Sequence, residues 1–240
     1  TFDKCFKYLY ERPSVDYFAW SDGEVAFTEI VQRFIEADCS VELLKSKDEP
    51  MKGSASMSKD KKELLVGAYI PRIGMSGSIK AHGRDIIPSP YTSGLLDKFL
   101  DGKFIPCFET ARGCPFMCTF CDQGLDESKM TSHSNLRMYE ELMYVGERVS
   151  NIENGQKHVE FFDSNWGMFN KDLEFAEDIL KVMNKYDWPE FIEARAPKSN
   201  RENILKINDM LKNRVRFGLS MQSLNIETLT DIKRRNWTTE

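Results

Sequence analysis

From residue 103 onward, short apolar runs alternate with longer amphipathic ones. The apolar runs are FIPCFETA (104–111), HVEFFDS (158–164), FIEARA (191–196) and VRFGLSM (215–221), and each reads as a strand. Between them the apolar positions recur at helical spacing over roughly 135–150, 171–186 and 201–213. Leu173, Ala176, Ile179, Leu180 and Met183 share one face of the second helix, and Ile204, Ile207 and Leu211 one face of the third. A fourth helix is predicted to start at Asn225, whose side chain suits an N-cap. Strands alternating with such helices predict βαβ units and a parallel sheet. Four strands fit before residue 240, half of what a closed barrel of this type needs.

The chain upstream has a different rhythm. YFAWSDGEVAFTEIVQRFIE (17–36) predicts a short strand ending in Ser-Asp-Gly, then a helix with Phe27, Ile30, Val31, Phe34 and Ile35 on one face. Such a βα unit suits the last unit of an open doubly wound sheet. KSKDEPMKGSASMSKDKK (45–62) is polar and rich in Ser and Lys, which predicts a solvated loop or linker. The next residues, 63–91, predict a strand, a turn near Ser76-Gly77-Ser78 and an extended Pro-rich lead-in. The expected organisation is therefore 1–44, a linker and insertion over 45–102, and an α/β core over 103–240.

With 41% hydrophobic and 30% charged residues, 240 positions can fill one large domain or two smaller ones. The net charge of −5 argues against a broad phosphate-binding face, so nucleic acid is not an expected partner. No apolar run approaches the ~18–20 residues of a membrane span. The start, TFDKCFKYLY, is not a secretory signal and begins in mid-pattern, so the chain is expected to be a fragment.

Six cysteines in a chain of this size do not form a disulfide framework. Cys5, Cys39 and Cys107 lie among apolar neighbours and read as small buried hydrophobes. The other three are packed into RGCPFMCTFCDQG (112–124) as Cys-x3-Cys-x2-Cys, at Cys114, Cys118 and Cys121. Free thiols imply a reducing, cytoplasmic setting. Three sulfurs at this spacing converge on one soft metal centre from a single loop. That loop follows the first strand of the parallel unit, on the face where barrel active sites are built. Gly113 and Gly124 allow close backbone approach, and Pro115 stiffens the loop. A closed zinc site needs four ligands, and neither Cys107 nor His133 stands at usual zinc spacing. The residues leave open a three-cysteine [4Fe–4S] cluster, a zinc site or unrelated thiols.

CPFMCTFC resembles the signature of the radical SAM (S-adenosylmethionine) enzymes, with Phe120 at the aromatic position before the last cysteine. In that family the iron without a cysteine chelates the amino and carboxylate groups of the methionine moiety. Electron transfer then cleaves the sulfonium to a 5′-deoxyadenosyl radical. The resemblance implies that Cys114, Cys118 and Cys121 hold a [4Fe–4S] cluster and that the missing fourth ligand is the cosubstrate. Residues 86–124 look like the junction in the cobalamin-binding branch, where a Rossmann-like cobalamin domain precedes the barrel. VDYFAWSDGEVAFTEIV (15–31) is similar to the end of that domain, which places Gly23 and Glu24 on the cobalamin side. Asp22-Gly23-Glu24 replaces the fuller Gly-Glu-Gly-Glu pattern, and the cobalt-ligating Asp-x-His-x-x-Gly loop is absent. The implied fold is a partial (β/α) radical SAM barrel preceded by the C-terminal end of a Rossmann-like cobalamin-binding domain.

Further positions carry over on the same resemblance. Asp163 and Asn165, in FFDSN, take the place of a Gly-Gly-Glu motif that grips the methionine amino group, or they simply turn the chain. Arg195 pairs with the methionine carboxylate or makes a structural ion pair. Ser220 and Gln222 reach the ribose and carboxylate or join sheet to loop. Met117 and Met221 read as packing residues, and His82 and His158 as ordinary polar ones.

The expected activity is cobalamin-dependent methylation of an unactivated carbon of a small molecule, with a flavodoxin or ferredoxin as electron donor. Three alternatives stand beside it: a cobalamin-free, methylthiotransferase-like enzyme, a radical cyclase or isomerase, and a non-catalytic iron–sulfur or zinc module. Cys5 and Cys39 do not form the second cluster set that a methylthiotransferase carries.

Overall fold

The structure, a computed structural model, describes residues 2–20, 22–70, 73, 83–121, 123 and 130–237. The expected turn at 76–78, His82 and Gly124 lie outside these residues. The chain divides into two compact units, Thr1–Ser76 and Gly77–Glu240, a boundary inside the stretch expected to be linker.

The first unit contains α1 (Phe2–Glu11), β1 (Tyr17–Ala19), α2 (Gly23–Glu36), α3 (Val41–Ser46), β2 (Ser54–Met57) and β3 (Leu64–Val66). The three strands form an antiparallel sheet in the order β1-β2-β3, with Phe18 opposite Ala55 and Ser56 opposite Leu65. Residues 45–62 are thus not simply a solvated loop, because they supply the central strand, all four residues of which are buried. Ser-Ala-Ser-Met looks polar by composition. The sheet ladder satisfies its backbone, however, and Ser54 Oγ donates to Met51 O at 3.0 Å. Leu9, Ala55 and Met57 form a small core with Phe6, Trp20, Leu64 and Val66. The predicted face of α2 is only partly used. Ile30 and Phe34 pack near Ala37, Leu44 and Met51, whereas Phe27 and Ile35 lie open.

The second unit begins its regular structure with β4 (Cys107–Phe108), β5 (Ala111–Arg112) and β6 (Thr131–Ser132). It continues with α4 (Asn135–Val149), β7 (His158–Phe161), α5 (Asn170–Tyr186), β8 (Phe191–Arg195), α6 (Arg201–Met210), β9 (Val215–Gly218) and α7 (Ile226–Asp231). Strands β4-β7-β8-β9 form a parallel sheet in that order, as the alternation of apolar runs and helices predicts. Ser134 and Asn225 cap α4 and α7 by accepting from Arg137 N–H and Thr228 N–H.

Register explains which side chains make the core. Phe108, Phe161, Ala194 and Phe217 stand in one row across the sheet, the first three almost fully buried. The rings of Phe108 and Phe161 meet edge to face at 6.0 Å, and Trp166 meets Phe161 the same way at 4.8 Å. Helices α4 and α5 close this face with Leu142, Val145, Phe175, Ala176 and Ile179. The neighbouring row, Cys107, Glu160, Glu193 and Arg216, points to the opposite face and is less buried. Strand β4 is an edge. On its free side the Tyr91 hydroxyl accepts from Cys107 N–H at 3.0 Å and donates to Cys107 O at 2.9 Å. Burial pushes the Tyr91 phenol up to about 12, so it stays protonated for that role.

Two short links set how the strands end. Past β7, Gly167 adopts φ +91°, and a Cβ there would run into the side chain of Ile204. Its N–H and that of Phe169 both donate to Asp172 Oδ2 at 3.0 Å, which starts α5. Asp163, also past β7, reaches back to the residue following Glu109. Its Oδ1 accepts from Thr110 N–H and its Oδ2 from Thr110 Oγ, both at 2.6 Å. Burial pushes this carboxyl up to about 7, against the lowering effect of the two Thr110 bonds.

Gly167→Ala should destabilise the protein by about 1–3 kcal/mol, since it forces a side chain into left-handed backbone and against Ile204. Thermal unfolding would show this as a fall of roughly 2–4 °C per kcal/mol, and an unchanged transition would contradict it. Asp163 makes a pH prediction. A raised native pKa means that the folded state holds a proton the unfolded state has released. Stability from this group is therefore full below about pH 4 and lost as pH rises through about 7. Relative to Asp163→Asn, which is neutral throughout, the unsubstituted protein should lose about 3 kcal/mol between about pH 5 and about pH 8 in urea unfolding. Parallel pH profiles for the two proteins would count against it.

Candidate active site at the cysteine loop

The cysteine loop is closed at its base by a two-residue ladder. Ala111 pairs with Ser132 and Arg112 with Thr131, and His133 N–H donates to Thr110 O at 3.0 Å. Gly113 opens the loop at φ +104°, a conformation that suits glycine. Arg112 forks onto Glu109, with its shortest contact at 2.7 Å. Cys114 and Cys118 are buried, Cys121 is half-buried, and all six cysteines are free. Within the loop, Cys121 N–H donates to Cys118 O at 3.0 Å. Thr119 N–H donates to Ile232 O at 3.1 Å, which ties the loop to the end of α7.

The ends of the parallel strands supply side chains to this loop. From beyond β7, Asn165 Nδ2 donates to Cys114 Sγ at 3.3 Å, and Ser164 Oγ donates to Gln123 Oε1 at 2.7 Å. From beyond β8, Lys198 Nζ donates to Cys118 Sγ at 3.3 Å. Asn165 is 4% exposed, and its Oδ1 is buried with no hydrogen-bond partner. A buried amide oxygen without a donor is costly unless a ligand supplies one.

Among the described residues, no three His, Cys, Asp or Glu side chains stand close enough together to hold a metal ion. The three thiols share one loop without yet meeting at a point. His133 does not add to them, because its Nδ1 faces Asp85 Oδ1 at 3.1 Å. The donor set nonetheless fits a cluster held by three thiolates. It offers three soft sulfurs, N–H donors already on two of them, and an unsatisfied acceptor beside the first. Among the described residues, a closed four-ligand zinc site has no fourth side chain here.

The remaining predicted positions are distributed as follows. Phe120 is 53% exposed on the loop. Asp163 has both carboxylate oxygens engaged by Thr110, so its visible work is to join strand ends. Arg195 ends β8 and lies across Gly218, where an added Cβ would come within 2.8 Å of its Nη1. Ser220 and Gln222 are exposed in the segment after β9; Ser220 O accepts from Arg234 Nη2, and Gln222 has φ +63°. Gly23 and Glu24 form the first turn of α2 in the other unit, Gly23 exposed and Glu24 half-buried. Met117 is not a packing residue, because it is 57% exposed at the rim of a cavity of about 640 Å³. Pro115, Phe116, Leu229, Lys233 and Arg235 line the same cavity. Cys39 is likewise exposed, in a left-handed turn after α2, rather than buried. His158 stacks on Phe191 at 4.7 Å. Sequence reasoning missed Thr110 and Lys198. The one available signal was position: Thr110 closes the predicted strand 104–111 and Lys198 follows the predicted strand 191–196, on the edge where the cysteine loop lies.

No protein-family model matches the chain. Among curated proteins it is 25% identical over 246 residues to the cobalamin-dependent radical SAM methyltransferase TokK of Streptomyces tokunonensis, covering 98% of this chain and 32% of that protein. It is 29% identical over 161 residues to 2-(S-pantetheinyl)-carbapenam-3-carboxylate methyltransferase of Streptantibioticus cattleyicolor, covering 62% and 22%. A methyltransferase of Pyrococcus horikoshii, PH0819, is also 29% identical, over 164 residues, covering 67% and 31%. The chain thus spans about a third or less of the length of these relatives. Among solved structures, the cobalamin-dependent S-adenosylmethionine radical enzyme OxsB with aqua-cobalamin bound superposes with a TM-score of 0.58 at 17% identity, over 95% of this chain and 31% of that one. OxsB with aqua-cobalamin and S-adenosylmethionine bound gives 0.55 at the same identity, over 90% and 29%. In sequence the chain is thus similar to curated methyltransferases, the cobalamin-dependent radical SAM enzyme TokK among them, and in fold to OxsB.

Proposed function

We propose that the protein carrying this chain is a cobalamin-dependent radical SAM enzyme that methylates an unactivated carbon of a small molecule. The observation that carries the reading is the Asn165 amide. Its nitrogen is spent on Cys114 Sγ, and its oxygen is buried without a donor beside the same cysteine. An ammonium group bound next to the loop would satisfy that oxygen.

Cys114, Cys118 and Cys121 would hold the [4Fe–4S] cluster, and Asn165 would receive the amino group of S-adenosylmethionine. Arg195, at the end of β8, would meet its carboxylate. Ser220 and Gln222 would approach the ribose, and Phe120 would shield the bound cofactor. Asp163 fixes the strand ends around them and does not itself need to touch the cofactor. Gly23 and Glu24 would lie toward cobalamin. When bound, the cluster supplies the electron that opens S-adenosylmethionine, and cobalamin supplies the methyl group. The basic rim near Met117, with Lys233 and Arg235, suits an acidic electron donor of the flavodoxin or ferredoxin kind. Six free cysteines suit the cytosol. Among the described residues no helix is long and apolar enough to cross a membrane.

Anaerobic reconstitution should load about four irons per chain. Replacing Cys114, Cys118 or Cys121 by Ala should abolish loading, whereas Cys5→Ala, Cys39→Ala and Cys107→Ala should keep it. Stoichiometric zinc with no iron uptake would rule the reading out. Turnover of methyl-labelled S-adenosylmethionine with reductant should yield 5′-deoxyadenosine, S-adenosylhomocysteine and labelled product. Deoxyadenosine with an unlabelled, rearranged product would replace methyl transfer by cyclisation or isomerisation.

A further inference from the structure

Lys198 reaches the cysteine loop from the sheet, two residues past Ala196. Pro197 before it is buried and restricts the backbone at the point where the chain leaves β8. The Lys198 ammonium sits between two groups of the same loop, 3.3 Å from Cys118 Sγ and 4.8 Å from the centre of the Phe116 ring. Cys118 is 4% exposed, so water is largely excluded from its sulfur and the protein must supply its donors. A lysine so placed is held by charge–sulfur and cation–π attraction, and both act more strongly in a partly dry setting.

Cys114 and Cys118 are served differently. Asn165 offers Cys114 a neutral N–H, whereas Lys198 brings a full positive charge to Cys118. A fixed cation favours whichever state of a nearby group carries more negative charge. Beside a loaded cluster that state is the reduced form, since reduction adds one electron to the same sulfur-bound unit. We infer that Lys198 is a positioning residue that holds its charge beside Cys118 Sγ and so raises the reduction potential of the cluster. This inference rests on the cluster reading proposed above.

The test uses the anaerobically reconstituted protein, Lys198→Met and Lys198→Arg, with iron counted and the reduced cluster followed by EPR during a redox titration. Lys198→Met keeps the length and removes the charge. It should bind its full iron, and its reduced-to-oxidised ratio at the unsubstituted protein's midpoint should fall about tenfold, equivalent to about 59 mV for one electron. Lys198→Arg retains a charged N–H donor and should recover most of that loss. A Lys198→Met cluster with full iron and an unchanged midpoint would overturn the inference. Iron lost in Lys198→Met would contradict it, because the lysine would then be needed for loading rather than for the potential. If the unsubstituted protein formed no cluster at all, the underlying reading would fail, and this inference with it.

Discussion

The arrangement at the cysteine loop depends on one buried carboxylate. Asp163 takes two 2.6 Å hydrogen bonds from Thr110 and so joins the end of β7 to the segment that leads from β4 into the loop. Parallel pairing alone would leave these two strand ends free to splay, because β4 and β7 share only two register positions. With the clamp in place, Ala111 and Arg112 are set to pair with Ser132 and Thr131 respectively, and the loop is closed at its base. The same backbone that carries Asp163 presents Ser164 and Asn165 to Gln123 and Cys114. Burying a carboxyl there carries an energetic cost, visible in its raised pKa, and the fold tolerates it where precision of the loop is needed.

A parallel sheet brings all its strand ends to one edge, and this chain uses that edge fully. Asn165 comes from β7, Lys198 from β8, and the carbonyl of Ile232 from the end of α7, each bonded to a different residue of the loop. The apolar row Phe108, Phe161, Ala194 and Phe217 holds those strands in register beneath them. The loop therefore rests on a support made by the sheet's own core.

Much of this was legible in the chain. The alternation of apolar runs and amphipathic helices predicted four parallel strands, and Asn225 announced a helix start. Other features left no periodic trace. The β5–β6 ladder has two residues on each side, too few for any alternation to register. The β2 strand hides in a Ser- and Lys-rich stretch, because small hydroxyl side chains can be buried once bonded to the backbone. Asp163 and Asn165 stood out by type and position, but only geometry separates their tasks. One spends its carboxylate on Thr110, and the other keeps an oxygen open. Lys198 had no motif, and its proximity to Cys118 comes from a contact between residues 80 apart in the chain.

The central claim is that three cysteines leave one iron free for the amino and carboxylate groups of S-adenosylmethionine. The most direct test is electron–nuclear double resonance on the reduced cluster, with nitrogen-15 or oxygen-17 placed in the methionine moiety. The account predicts hyperfine coupling from both labels to the cluster spin, and loss of the nitrogen coupling geometry in Asn165→Leu. An intact cluster that shows no coupling to either label would contradict it.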